Sequence, residues 1–162
     1  MNNKLENFLS EMNLIDTDTK IISFHSSTHT SKEAAQILGV TTSEIVKSIV
    51  LIMENKCYLA IVPGNKKLRQ KAVRKAIKNT LGLEYSDSRL ANAEEVIKFT
   101  GYEVGAVPPI NIGLPVILDS SITGKHIVYG GGGTTTSVLK ISVNKLLALT
   151  KPIIFNIGRL NE

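Results

Sequence analysis

Two apolar, β-branched segments on either side of a short polar turn constrain the fold more than any other feature of this chain. Residues 47–53 read Lys-Ser-Ile-Val-Leu-Ile-Met, and residues 57–62 read Cys-Tyr-Leu-Ala-Ile-Val. Glu54-Asn55-Lys56 separates them, and Pro63-Gly64 follows the second segment. Such runs are typical of β-strands, and polar residues between them are typical of a turn. We therefore expect a β-hairpin over these residues, which Pro63-Gly64 ends.

Helix signals precede and follow this hairpin. Thr30 and Glu33 have capping-box spacing, which predicts a helix that ends at Gly39, and Thr41 with Glu44 predicts a short helical turn. Cap residues and apolar spacing predict further helices over residues 3–13, 92–101 and 144–149. Strands are predicted over residues 20–24, 114–118, 127–129, 138–142 and 152–157.

Strands outnumber helices in this reading, and hairpin connections are mixed with helical ones. This pattern predicts an α/β fold with a central mixed, barrel-like β-sheet surrounded by helices. A doubly wound fold would alternate strands and helices regularly, and this chain does not. A length of 162 residues fits one domain, so we expect residues 1–162 to form a single domain.

A basic stretch follows the hairpin. No Asp or Glu occurs from Asn55 to Leu83, and the whole chain has a formal net charge of +5. Helical spacing after Gly64 predicts an amphipathic helix with an apolar and a basic face. The inward side chains would be Leu68, Ala72, Ala76 and Ile77, and the outward ones Lys67, Lys71, Lys75 and Lys78. Such a face either binds a polyanion or is only solvated.

Familiar nucleophile, metal and nucleotide motifs are absent from the sequence. It contains no Cys-x-x-Cys, His-Glu-x-x-His, Walker-type loop or Gly-x-Ser-x-Gly, so we expect no metal site and no cofactor. Its single cysteine, Cys57, excludes an internal disulfide and favours a reducing compartment, so a cytoplasmic location is expected. No apolar run reaches the roughly 18 residues that a membrane span needs. The N-terminal residues do not resemble a signal peptide, and we expect no membrane partner.

Lys47 is unusual because it opens an otherwise apolar strand. An unpaired ammonium is costly to bury, so a lysine here calls for an explanation. It either binds a phosphate or carboxylate, or acts as an amine of lowered pKa that forms a Schiff base. The alternative is a strand-edge lysine whose ammonium reaches water.

Two glycine-containing segments are the other candidate sites. The first, residues 101–109, reads Gly-Tyr-Glu-Val-Gly-Ala-Val-Pro-Pro, and the N–H groups of Gly105, Ala106 and Val107 are candidates for an oxyanion hole. The second, Gly130–Gly133, lets another chain segment or a nucleotide approach the backbone. Either segment is otherwise a plain connecting turn.

Taken in order, these features resemble the YbaK / prolyl-tRNA-synthetase-associated editing domain family of aminoacyl-tRNA deacylases. The resemblance covers roughly residues 20–150. It rests on Ser31–Val40, Glu44–Leu51, Leu59–Gly64, Ala93–Val96, Thr100–Pro109, Pro115–Asp119, Ile127–Gly133 and Val138–Ser142. The stretch 100–109 resembles the lead-in helix and Gly-x-x-x-Pro loop of that family, and Lys47 matches its lysine-bearing strand.

The resemblance implies roles for individual residues. Lys47 would hold the substrate end, and the loop from Gly105 through Ala106 and Val107 to Pro109 would face the ester carbonyl. Substrate contacts would come from His25, Thr28, Gly131, Gly132 and Gly133. His25 and Thr28 match the family only loosely, and Pro108 stands where a small or polar residue is more usual.

The resemblance also implies an activity and a partner. The activity is hydrolysis of the ester that joins a mischarged small amino acid, such as Ala or Cys, to tRNA, with tRNA-Pro as the expected tRNA. Water helped by the ribose hydroxyl of the substrate would attack. The acceptor end would lie on basic residues, namely Lys67, Lys71, Arg74, Lys75 and Lys78, and an aminoacyl-tRNA synthetase is a possible second partner. A non-catalytic module that binds tRNA or a synthetase, and an amine enzyme that uses Lys47, are the alternatives.

Overall fold

A computed structural model describes residues 4–26 and 30–161 of the chain. Its helices are α1 (Lys4–Glu11), α2 (Ser31–Leu38), α3 (Gln70–Leu81), α4 (Ala93–Thr100) and α5 (Val143–Thr150). Its strands are β1 (Lys20–Ser23), β2 (Val46–Met53), β3 (Lys56–Pro63), β4 (Lys66–Leu68), β5 (Arg89–Leu90), β6 (Val116–Asp119), β7 (Ile127–Gly131), β8 (Ser137–Ser142), β9 (Ile153–Phe155) and β10 (Gly158–Leu160). Short 3-10 helices cover Thr42–Glu44 and Ser120–Gly124.

The predicted hairpin is the centre of a five-stranded mixed sheet. Strands β2 and β3 pair antiparallel from Val46 opposite Pro63 to Met53 opposite Lys56. The sheet order is β5-β2-β3-β6-β9, in which β3 with β6 and β6 with β9 are parallel. Strands β1, β8 and β7 form a second, antiparallel sheet, and β4 pairs with β10. The predicted mixed sheet is therefore confirmed, as is the edge strand predicted near the C-terminus.

The two larger sheets enclose one apolar core. Side chains of β2, β3 and β6 meet those of β7 and β8 there, and α1 and α5 add Leu5, Leu9 and Leu146. An isolated parallel bridge between Ile45 and Tyr129 joins the sheets at one end. On its other face the five-stranded sheet is covered by α3 through Val73, Ala76 and Ile77, which are fully buried. Sheets that share one core and are wrapped by helices match the expected barrel-like α/β fold.

Helix ends follow the predicted caps. The Thr30 hydroxyl accepts a hydrogen bond from the Glu33 N–H at 3.1 Å, and α2 ends at Gly39 with φ 70°. At α4, the capping box of Asn92 and Glu95 has both of its hydrogen bonds. The Thr30 cap thus fixes where α2 begins, and the Asn92–Glu95 box fixes where α4 begins.

The predicted start of the basic helix is wrong. Lys67 and Leu68 lie in β4, not in a helix, because β4 pairs with β10 and the Arg69 N–H donates to the carbonyl of Ile157 at 2.7 Å. The helix begins only at Gln70. Ala72 is consequently half-buried, and Val73 takes the buried position.

The N-terminal helix is shorter than predicted. It ends at Glu11 rather than at residue 13, and Asn13 has a left-handed backbone with φ 54°. A residue in that conformation cannot continue a right-handed helix.

Candidate functional site

A cleft of about 940 Å³ opens where β2, the start of α2, the β4–β10 pair and the β7–β8 hairpin meet. It is lined by four of the residues predicted from the sequence, namely Lys47, Gly105, Val107 and Gly131. Its size fits a small-molecule group rather than a deep macromolecular groove. The fold thus brings together segments that lie far apart in the chain.

Lys47 contributes a cation to this cleft, which the exposed Lys32 also lines. Its Nζ donates a 2.7 Å hydrogen bond to the carbonyl oxygen of Lys66, and the side chain is half-buried. Burial, and secondarily the charge of Lys67, lower the pKa of Lys47. Within residues 4–26 and 30–161, no carboxylate lies within ion-pair distance of this ammonium. An anionic or carbonyl group that enters the cleft would therefore meet a cation without an acidic partner.

The loop after α4 supplies backbone N–H groups. Gly105 has φ 87°, a conformation that favours glycine, and it is exposed at the cleft. The Ala106 N–H donates to the carbonyl of Glu103 at 3.0 Å, so it is already bonded within the loop, which does not favour its predicted role in an oxyanion hole. For the N–H groups of Gly105 and Val107, the described part of the chain offers no acceptor. These two groups remain the loop's candidates for an oxyanion.

The glycine run packs directly against this loop. A Cβ atom on Gly131 would lie 2.2 Å from the carbonyl oxygen of Val107, and one on Gly130 would lie 3.0 Å from Cδ of Pro109. The close approach that the glycines permit is therefore made by another segment of the same chain. Gly131 also lines the cleft.

The sequence predicted substrate contacts for Gly132 and Gly133, but neither residue lines the cleft. Both are buried. A Cβ atom on Gly132 would lie 2.6 Å from the backbone of Ser137, and one on Gly133 would lie 3.5 Å from the ring of Tyr102. Gly132 thus packs tightly against backbone and Gly133 lies beside core side chains, so the structure does not bring them to the cleft.

Pro109 supports the loop from behind. It is buried, packs near Gly130 and Val46, and does not line the cleft. Pro108 is also buried. The proline pair therefore anchors the loop in the core, and the predicted catalytic contact of Pro109 is not made by its side chain.

The sequence also predicted substrate contacts for His25 and Thr28, which precede α2. His25 is exposed and lies outside the cleft lining. Thr28 lies outside the described residues. Instead, Thr30 and Ser31 at the start of α2 line the cleft.

Two polar side chains of the cleft were missed by the sequence reasoning. Ser48 follows Lys47 in β2, and Asn65 follows Gly64. Their Oγ and Oδ1 atoms are buried and have no hydrogen-bond partner within the described residues. A polar residue directly after Lys47 in an apolar strand was the available signal for Ser48, whereas Asn65 resembles an ordinary turn residue.

The predicted basic residues divide into two groups. Lys67 on β4, and Lys71 and Lys75 on α3, are exposed, and none of them has an ion pair within the described part of the chain. Lys78 pairs with Glu84 at 3.3 Å, and Arg74 is half-buried and donates to the hydroxyl of Ser88. The first group is the better candidate for phosphate contacts.

Within residues 4–26 and 30–161, no group of three or more His, Cys, Asp or Glu side chains is arranged to hold a metal ion. None of the described helices combines the length and apolar character that crossing a membrane requires.

Known proteins with similar sequences include bacterial proline–tRNA ligases. The ligase of Halalkalibacterium halodurans is 34% identical over 131 residues, which are 80% of this chain and 20% of the ligase. That of Thermotoga neapolitana is 33% identical over 103 residues, which are 63% of this chain and 17% of the ligase. The chain thus spans about a fifth of the length of these relatives.

Solved structures and a family model give the same relationship. A proposed trans-editing enzyme for prolyl-tRNA synthetase superposes with a TM-score of 0.81 at 31% identity, covering 96% of this chain and 94% of that one. A hypothetical protein superposes with a TM-score of 0.80 at 30% identity, covering 96% and 99%. The model of the aminoacyl-tRNA editing domain matches residues 25–149. By this match and by its fold, the chain belongs to the aminoacyl-tRNA editing domain family.

Proposed function

We propose that the protein is a trans-editing deacylase that hydrolyses the ester of a mischarged small amino acid, such as Ala or Cys, from tRNA-Pro. One observation carries the proposal: Lys47 lines the same cleft as Gly105 and Val107, and among residues 4–26 and 30–161 the Lys47 ammonium has no acidic partner and the N–H groups of the other two have no acceptor. The likeness to proline–tRNA ligases and to a proposed trans-editing enzyme supports tRNA-Pro as the substrate.

This arrangement suits hydrolysis without a protein nucleophile. Among the residues that the structure describes, those that line the cleft include no Asp, Glu, His or Cys. Water would add to the ester carbonyl carbon, and the resulting oxyanion would accept hydrogen bonds from the loop N–H groups. The bond to the ribose oxygen then breaks, and that oxygen takes up the proton that the attacking water gives up. The neighbouring ribose hydroxyl of the substrate would orient the water, while Lys47 would hold the substrate end.

The exposed lysines provide a surface for the acceptor stem. Lys67 lies on the strand whose carbonyl binds Lys47, and Lys71 and Lys75 continue the basic surface along α3. Contacts of such lysines with phosphates give affinity without reading the base sequence. Recognition of the correct tRNA would then depend on other contacts or on a synthetase partner. A tRNA substrate also fits the expected cytoplasmic location.

A deacylation panel tests the proposal. The purified protein is incubated with tRNA-Pro that carries labelled Ala, Cys, Ser or Pro, and loss of the label is followed over time. Selective loss of one small amino acid, with Pro retained, is the expected result. Retention of all four labels, together with measurable binding of tRNA, would refute the deacylase and favour a non-catalytic tRNA-binding module.

The lowered pKa of Lys47 favours one other function, an enzyme that uses this lysine as an amine. Borohydride reduction in the presence of small carbonyl compounds would trap a Schiff base at Lys47. A Lys47 adduct found by peptide mass spectrometry, combined with an inactive deacylation panel, would replace the proposed function by this one.

A further inference from the structure

A fully buried carboxylate, Asp119, lies behind the β4–β10 pair, the part of the cleft wall whose Lys66 carbonyl binds Lys47. It ends β6, and its Oδ1 accepts hydrogen bonds from the N–H groups of Ile157 and Gly158, each at 2.9 Å. Its Oδ2 accepts from the N–H and hydroxyl of Ser121 and pairs with Nζ of Lys66 at 3.2 Å. Asp119 therefore fixes both strands of the β4–β10 pair, β10 through the Gly158 N–H and β4 through the Lys66 side chain.

Lys66 connects this carboxylate to the cleft. Its side chain is only 18% exposed and points to Asp119, while its backbone carbonyl accepts the hydrogen bond from Lys47. Gly158 leaves the space through which the Lys66 side chain reaches Asp119, because a Cβ atom on residue 158 would lie 2.8 Å from Cδ of Lys66. The position of the carbonyl that binds Lys47 thus depends on a tether that ends at Asp119.

We propose that Asp119 and Lys66 are positioning residues that hold the Lys47 ammonium at the cleft. The inference rests on the proposed function only for its effect on deacylation. Neither residue was among the site residues expected from the sequence, and Asp119 does not line the cleft. Asp119 acts on Lys47 through Lys66 and the backbone of β4, not by direct contact.

Lys66→Met is the main test variant because it keeps the backbone carbonyl and removes the tether. Asp119 would keep its bonds to Ile157, Gly158 and Ser121, so the carboxylate stays hydrogen-bonded. The double variant Asp119→Asn/Lys66→Met removes both charges together and is used if the single variant does not fold. Folding of each variant is checked by circular dichroism and thermal melting.

The readout is the rate at which trace acetic anhydride labels Lys47, measured by peptide mass spectrometry relative to exposed Lys71. We expect labelling of Lys47 to rise about tenfold in Lys66→Met, because the ammonium loses a fixed hydrogen-bond acceptor. Lys145, whose Nζ bonds the Leu14 carbonyl at 2.9 Å and Asp16 at 2.7 Å, is a control far along the chain. General loosening would expose Lys145 as well, whereas loss of the tether would not.

Lys67→Met is the matched control on the same strand. Loss of the Lys67 charge raises the pKa of Lys47, so Lys47 should be labelled more slowly. If Lys47 labelling is unchanged or slower in the folded Lys66→Met or double variant, or rises only together with that of Lys145, the positioning role is wrong. Faster labelling of Lys47 alone, with a wild type that deacylates nothing, would support the positioning role and refute the proposed function.

Discussion

The Nζ atom of Lys47 and the backbone carbonyl oxygen of Lys66 are 2.7 Å apart, and their hydrogen bond joins β2 of the five-stranded sheet to the short β4–β10 pair. An ammonium has three donors, and this carbonyl is the one acceptor that the described residues provide for Lys47. Donors therefore remain for a ligand in the cleft. The carbonyl of Lys66 thus holds the ammonium in place, and the ammonium can still donate hydrogen bonds to a ligand.

Replacement of this lysine should separate activity from stability. We expect Lys47→Met to lower the deacylation rate by at least about 100-fold, in the range reported for loss of a preorganised donor. The unfolding free energy should change by about 1 kcal/mol or less, because the methionine fills the space of the lysine stem and no buried carboxylate loses a partner. Deacylation kinetics and urea unfolding of the same preparation measure both quantities. Full activity in this variant would show that the site is assigned wrongly.

A methyl group on Gly131 should displace the cleft loop. In Gly131→Ala the new Cβ would lie 2.2 Å from the carbonyl oxygen of Val107, so the loop must move. We expect the unfolding free energy to fall by roughly 1–3 kcal/mol and deacylation to be lost. Gly124→Ala is the control, because nothing lies within 4 Å of a Cβ at that position. Equal melting temperatures of the two variants would contradict the packing described here.

The hairpin and the helix caps could be predicted from the sequence because their signals are local. Strands β2 and β3 are formed by one continuous segment, and Asn92 and Glu95 are three residues apart. Lys67 was misplaced on a helix because its partner strand, which contains Arg159, lies about ninety residues further along the chain. Strand pairing over such a separation produces no hydrophobic periodicity in either segment from which it could be predicted.

The site was predictable only in part for the same reason. Lys47, Gly105, Val107 and Gly131 line the cleft, and each could be picked out because it stands out within its own segment. The hydrogen bond that occupies the Ala106 N–H is a detail of loop geometry. Composition and spacing carry no information about such a bond.

Acid should weaken the fold through Asp119. Burial raises the pKa of this carboxyl, but the hydrogen bonds from Ser121, Ile157 and Lys66 outweigh it, so the pKa lies below the usual value of 3.8. A folded-state pKa below the unfolded one means that the ionised carboxylate stabilises the protein above the unfolded pKa, and that this stability is lost as the pH falls through the folded pKa.

Urea unfolding of wild type and Asp119→Asn between pH 6 and about pH 3 tests this dependence. The wild type should be the more stable protein at pH 6, and the difference should shrink as the pH approaches the lower limit. A difference that stays constant over this range would mean that Asp119 is not the titrating group.

Salt dependence should identify which lysines contact tRNA phosphates. Each phosphate contact contributes about −0.9 to the slope of the logarithm of the binding constant against the logarithm of salt concentration. Lys71→Met and Lys75→Met should therefore each weaken binding of uncharged tRNA and reduce the slope by about one. Lys78→Met should change the slope less, because Lys78 already pairs with Glu84.

Lys56→Met is the control for loss of one charge, since Lys56 is exposed at the opposite end of the β2–β3 hairpin from Lys47. Equal slopes for the Lys71 and Lys56 variants would place the tRNA on a different surface.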